Sequence, residues 1–164
     1  MSTYREGEGG GSMLTAFLEV VAIVGSGITA GVFVAIALSV LPALRALPAD
    51  RYIDMHRRLG KGYHPTMPLM VNGGMVACLG LVFLTPAPAR YLFAAGFVLM
   101  LGTQGVSHLA NVPINRRIQA IDPAAIPGDW DDPRPLWQNW HLLRTALALA
   151  ALTVNAAAAA LVTA

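Results

Sequence analysis

In 164 residues the chain carries 55% hydrophobic and only 12% charged side chains, with a net charge of +2. A soluble domain has about 25% charged residues, so this chain lacks the polar surface to cover a globule in water. Its mild basicity, without a basic patch interleaved with aromatics, speaks against a nucleic-acid partner, and its lone cysteine, Cys78, excludes an intrachain disulfide or a cysteine-cluster metal site.

Residues 1–12, MSTYREGEGGGS, are polar and glycine-rich and read as a disordered tail ahead of a single membrane domain over 13–164. The first apolar span covers about 14–44. At ~1.5 Å per residue it exceeds the roughly 30 Å hydrocarbon core, so it tilts or projects beyond it. Within it, Gly27 with Gly31 and Ser26 with Ala30 form small-xxx-small pairs that predict close helix contact. A long loop follows. In it Tyr52, Ile53, His56 and Leu59 recur at helical spacing beside Arg51, Arg57 and Arg58. That pattern predicts a short interfacial helix over Ala49–Leu59, broken by Gly60-Lys61-Gly62.

The second span covers about 65–84 and ends in a tight turn at Pro86 and Pro88. The third covers about 90–112, with Pro113 disturbing its end. The second long loop holds Trp130, several aspartates and prolines; an ordered lid and a floppy connection are both compatible with it. The fourth span covers about 137–162. Backbone in lipid must satisfy its own hydrogen bonds, so all four spans are expected to be helical. The expected fold is all-α, an integral membrane four-helix bundle with one interfacial helix in the first long loop. Four spans place both termini on one side. The opposite side, counting Arg144 just inside the fourth span, holds every Lys and Arg except Arg5 and Arg90. The positive-inside rule then predicts cytoplasmic loops and outer termini for a multi-pass cell-membrane protein.

All four histidines lie toward the loop end. In the third span Gln104, His108, Asn111 and Asn115 recur at spacings that form one polar stripe if the helix continues through Pro113. Polar groups at such depth face a bundle interior or a water-filled cavity, and interhelical hydrogen bonds explain the stripe as readily as a site does. The fourth span opens with Trp137, Gln138, Asn139, Trp140, His141 and Arg144, of which Trp137, His141 and Arg144 share a face. An aromatic belt with a snorkelling arginine explains Trp140 and Arg144; His141 beside two tryptophans fits it less well. His56, His64, His108 and His141 together suit copper, iron or zinc, though no close His pair marks a metal motif. The same residues allow metal-free chemistry. A histidine removes an acidic C–H or phenolic proton, and Asn111, Gln104 or Arg144 holds the oxyanion. At the other end of the first span Glu19 is a further intramembrane acid, functional or interfacial.

Three stretches taken together resemble the anthrone-oxygenase-like family of small four-helix membrane proteins. They are Ser39-Val40-Leu41-Pro42-Ala43-Leu44, His108-Leu109-Ala110-Asn111-Val112-Pro113-Ile114-Asn115, and Trp137-Gln138-Asn139-Trp140-His141-Leu142-Leu143-Arg144. The resemblance implies a four-span bundle and a pathway role in oxidising an anthrone carbon to a quinone carbonyl with O₂, as in secondary metabolism. It maps Asn111, Asn115, Trp137, His141 and Arg144 onto the family pattern and leaves metal dependence open. The expected function is therefore a membrane oxygenase acting with O₂ on an apolar aromatic or phenolic molecule that arrives through the lipid bilayer. His108, His141, Asn111 and Arg144 are its candidate catalytic residues, and Trp137, Gln104 and Asn115 its substrate contacts. The metal candidates are His56, His64, His108 and His141, for copper or iron, with cofactor-free O₂ chemistry as the alternative. A transporter or tolerance factor for a hydrophobic metabolite, and a structural subunit beside a partner enzyme, are the competing readings; a homo-oligomer is compatible with each.

Overall fold

In a computed structural model the protein is all-helical, with four helices long and apolar enough to cross a membrane. Residues 6–163 are described, with side chains over 12–162. Of the expected disordered tail, residues 1–5 lie outside the described residues, whereas the backbone of 6–12 is helical and forms the start of the first helix.

The first span is α1 (Glu6–Ala35), a π-helical segment π1 (Ile36–Val40) and α2 (Leu41–Arg45). Helix α3 (Ala49–Lys61) crosses the loop end. The second span is α4 (Thr66–Leu84). The third runs without interruption through α5 (Ala89–Val106), π2 (Ser107–Asn111) and α6 (Val112–Ala120). The fourth is α7 (Arg134–Thr163). Third and fourth spans thus extend past the expected ends, because both continue as helix out of the apolar zone.

Proline explains the two π segments. Pro42 and Pro113 each stand two residues beyond one, and a proline supplies no amide to the preceding turn. The helix widens instead: the Leu41 N–H donates to the Ile36 carbonyl, and the Val112 N–H to the Ser107 carbonyl, each five residues back. Such bulges let a helix pass a proline without breaking, and they turn nearby side chains out of register.

The spans form a square in the order α1, α4, α5, α7, each packed on its two neighbours. Helices α1 and α4 approach each other closely. A Cβ added to Gly25 would lie 2.8 Å from the Gly74 Cα and from the Met70 carbonyl oxygen. The small-residue contact is therefore made by Gly25 rather than by Gly27 and Gly31. A Cβ on Gly27 would reach only the Leu152 side chain at 3.7 Å, and one on Gly31 would meet nothing within 4 Å. Ser26 and Ala30 do face the interior, both nearly inaccessible.

Two cores result. The larger lies in the half away from the long loops, around Phe93, Leu81, Met100 and Ala151. The smaller lies at the loop end, where Tyr52 and Ile53 of α3 pack on Ile114 and Ile118 of α6. Trp130 and Ile126 of the second loop join this core, so that loop is the ordered cover. Arg57 donates to the carbonyls of Gln119 and Ile121 at the end of α6. Arg134 donates to the Leu47 carbonyl at 2.7 Å and pairs with Asp132 at 2.7 Å. These bonds fasten α3 and both loops into one cap.

Candidate functional site

Beneath the cap lies a cavity of about 240 Å³. Its walls are apolar from α1, π1 and α4 and polar from π2, α6 and α7. The sequence-predicted residues His56, Gln104, His108, Asn115, Trp137 and Arg144 line it; His64, His141 and Asn111 do not.

Helix α7 builds the core of the site at the expected i, i+4, i+7 spacing. The Trp137 indole stacks flat on the His141 ring, with centroids 5.0 Å apart and planes at 6°. The Trp137 Nε1–H donates to Asn115 Oδ1 at 2.7 Å, and Asn111 Nδ2 donates to the Trp137 carbonyl at 3.2 Å. Trp137 is thereby fixed in plane and tilt as one wall of the cavity.

His141 is fully buried, and both its nitrogens are engaged. Nε2 lies 3.0 Å from the Phe33 carbonyl oxygen. Arg144 donates to Nδ1 from Nε at 3.1 Å and from Nη2 at 2.9 Å. A guanidinium is donor-only, so Nδ1 accepts and Nε2 carries the proton. Arg144 also donates to Ser107 Oγ at 3.3 Å, and its guanidinium lies 4.4 Å from the Phe33 ring centre and 5.5 Å from that of Trp137. Among the described residues no carboxylate pairs with it.

His56 reaches the cavity from the cap. It is buried, set edge-on to Trp137 at 6.2 Å and tilted against Tyr52 at 5.7 Å, and its Nδ1 has no hydrogen-bond partner. Burial holds its imidazole below the ordinary histidine value, with a contact to the Asn115 side chain working the other way. Burial likewise pushes the neighbouring Tyr52 phenol up to about 12, helped by Asp132 and opposed by Arg134.

The expected polar stripe is split by π2. Gln104, His108 and Asn115 face the cavity, whereas Asn111 turns into the contact between π2 and α7, fully buried with Oδ1 unpartnered. The bulge changes the helical phase between His108 and Asn111, which is why a straight-helix projection overstates the stripe. The four histidines do not assemble either. No group of three or more His, Cys, Asp or Glu side chains among the described residues is placed to hold a metal ion. His64 is exposed beyond the cavity wall, and the His141 nitrogens are directed at a carbonyl and a guanidinium. That donor set does not fit a copper or iron centre.

The anthrone oxygenase family profile matches residues 56–154, more than half of the chain. The chain belongs to the anthrone oxygenase family. No curated protein and no solved structure gives a significant match. The region shared with the anthrone oxygenases begins at His56 and includes Asn115, Trp137, His141 and Arg144. Phe33, which closes the site from α1, lies outside it. Phe33, Tyr63 and Ser107 are cavity-lining residues that the sequence reading passed over. Ser107 stood three residues after Gln104 and one before His108, close enough to the stripe to be found. Phe33 and Tyr63 carried no signal distinguishing them from packing aromatics.

Proposed function

We propose that the protein is a membrane-embedded oxygenase that oxidises an apolar aromatic or phenolic molecule with O₂, without a metal. The observation that carries this reading is Arg144: a guanidinium with no carboxylate partner among the described residues, at the wall of an aromatic cavity that also presents His56. A half-buried cation held by a neutral imidazole, a hydroxyl and two ring faces is poised for an anion that forms during the reaction.

The chemistry follows from the residues. His56, its neutral form favoured by burial, removes a proton from an activated CH₂ flanked by aromatic rings and a carbonyl. The electron pair moves onto the carbonyl oxygen, and Arg144 holds the resulting enolate. Trp137 offers a flat surface for the conjugated rings. Such an electron-rich carbanion reduces O₂ directly and combines with it to a peroxide, which His56 reprotonates. Loss of water from the hydroperoxide leaves the carbonyl. The balance is R₂CH₂ + O₂ → R₂C=O + H₂O, with both protons and all four electrons supplied by the substrate carbon. His141 positions Arg144, and the basic loops are assigned to the cytoplasm by the positive-inside rule.

Oxygen uptake by purified protein in lipid nanodiscs, with a hydroxyanthrone as substrate, tests the reading. We expect consumption of one O₂ per quinone formed, persisting after chelation and without stoichiometric copper, iron or zinc. Absence of uptake would overturn the oxygenase assignment. Uptake that tracks bound copper or iron and vanishes on chelation would overturn the metal-free route.

A further inference from the structure

Three of the residues lining the cavity are also exposed on the outer surface: Gly60, Pro68 and His108. They mark an opening between the first turn of α4 and π2, under the end of α3. The helices diverge there: α4 packs closely along α5 but hardly touches π2 or α6. Leu69 and Leu109, at 62% and 83% exposure, flank the opening and present an apolar rim.

Inside that rim the flank is polar. Asn72 is exposed on α4 and accepts a hydrogen bond from Gln104 Nε2 of α5 at 2.8 Å. Gln104 and His108 line the cavity as well. Polar side chains on the outer flank of a membrane bundle are costly and normally turn inward. Here Asn72 lies on the exposed face of α4, its partner Gln104 lines the void, and His108 both lines the void and is exposed. Along the rest of the exposed face of α4, Leu69, Val76, Leu79 and Phe83 are apolar.

We propose that this opening is a lateral portal through which a membrane-dissolved amphiphile, an apolar ring system carrying hydroxyl or carbonyl oxygens, passes directly between bilayer and cavity. The apolar rim matches the rings, and the Asn72–Gln104 pair and His108 exchange hydrogen bonds with the oxygens during passage. An amphiphile of this kind partitions into the bilayer, and a lateral opening spares it a transfer through water. The substrate class rests on the oxygenase reading; the position of the portal does not.

Two measurements test it. In a Cys78→Ala background, nitroxide labels are placed through Asn72→Cys and Leu109→Cys, and their relaxation is compared with O₂ and with a water-soluble nickel chelate. Labels that collide with O₂ and are shielded from nickel place the opening in the lipid. Labels reached by nickel would show an aqueous mouth, and labels shielded from both would show a covered flank, as in a second copy packed on it; either overturns the portal. These readings need neither ligand nor turnover, so they stand whatever the O₂-uptake result. The second measurement is the binding of 1,8-dihydroxyanthraquinone in proteoliposomes, followed by tryptophan quenching. His108→Trp narrows the opening and is expected to slow association and dissociation together by about tenfold. A change confined to dissociation would mark His108 as a site contact and overturn its gating role.

Discussion

Asn155 and Arg144 are both polar residues on α7, three turns apart, and their surroundings differ in kind. Asn155 sits fully buried in the half away from the loops, and that half is shaped to it. Gly96 leaves the space that its side chain occupies, and the Ser26 hydroxyl and Cys78 thiol lie within hydrogen-bonding distance at 3.4 Å. The space beside Ser26, Met100 and Ala151 is too small to hold a water. At the loop end Arg144, His56 and Asn115 surround about 240 Å³ of open space. The first arrangement joins helices; the second is complete only when something fills the cavity. Burial of a polar residue in the membrane therefore does not by itself mark a functional site. What marks one is a buried polar group with capacity left over beside a cavity.

The sharpest way to break the comparison is Arg144→Ala. If Arg144 holds a developing oxyanion, turnover with a hydroxyanthrone falls by about 100-fold or more, while the protein remains folded in detergent. Arg144→Lys keeps the charge but loses the planar fork shared among His141, Ser107 and the two rings, so it restores only part of the rate. Equal activity in Arg144→Ala and the parent would reduce Arg144 to a snorkelling interface residue.

Replacing His56 with Gln comes next, with a loss of about 100-fold expected for a general base. The pH profile adds a direction. The folded-state pKa of His56 lies below the ordinary value, so the neutral base prevails at pH 7, and activity is flat there. It falls only as the pH drops through the folded-state value, which burial holds below the ordinary histidine value. Stability follows the same sign: the unfolded chain binds the proton more readily, so the contribution from burying neutral His56 is present above the unfolded pKa and lost on acidification. His56→Gln should remove both pH dependences. A profile unchanged by the substitution would assign the acid limb to another group.

Most of the fold was legible in the sequence, since four apolar runs in lipid admit little besides four helices. The helical face of α3 was legible from Tyr52, Ile53 and His56, all three of which are buried. The α7 cluster was legible because Trp137, His141 and Arg144 share a face on a regular helix. The third span is less legible, because a five-residue π segment shifts the phase between His108 and Asn111 away from a straight-helix projection. His56 was ranked below His108 and His141 for a similar reason. A loop histidine looks interfacial until the loop is known to fold over a cavity, and a histidine inside a span looks free until both its nitrogens are found occupied. The small-residue pairs Gly27 with Gly31 and Ser26 with Ala30 predict a close helix contact without naming its partner; the approach to α4 occurs at Gly25, because only the partner helix decides which glycine it meets.

The smallest effect expected lies in the half without a cavity, and it shows whether that half is purely structural. A Cβ at Gly96 would collide with the Asn155 side chain, so Gly96→Ala should destabilise the bundle by about 1–3 kcal/mol through overpacking. Asn155→Ala alone gives up its bonds to Ser26 and Cys78, each worth on the order of 0.6 kcal/mol between membrane helices. In the double variant the alanine at 96 enters the space that Asn155 has left. Its cost should then largely vanish, a coupling of about 0.5–3 kcal/mol between directly touching residues. Unfolding by a denaturing detergent measures all four corners of the cycle. Hydroxyanthrone turnover per folded molecule should be the same at every corner, because none of these residues reaches the cavity. Additive destabilisation would mean that the two helices readjust independently. A loss of turnover in parallel with stability would mean that the tight half of the bundle holds the loop end in register, and the two regions would have to be treated as one.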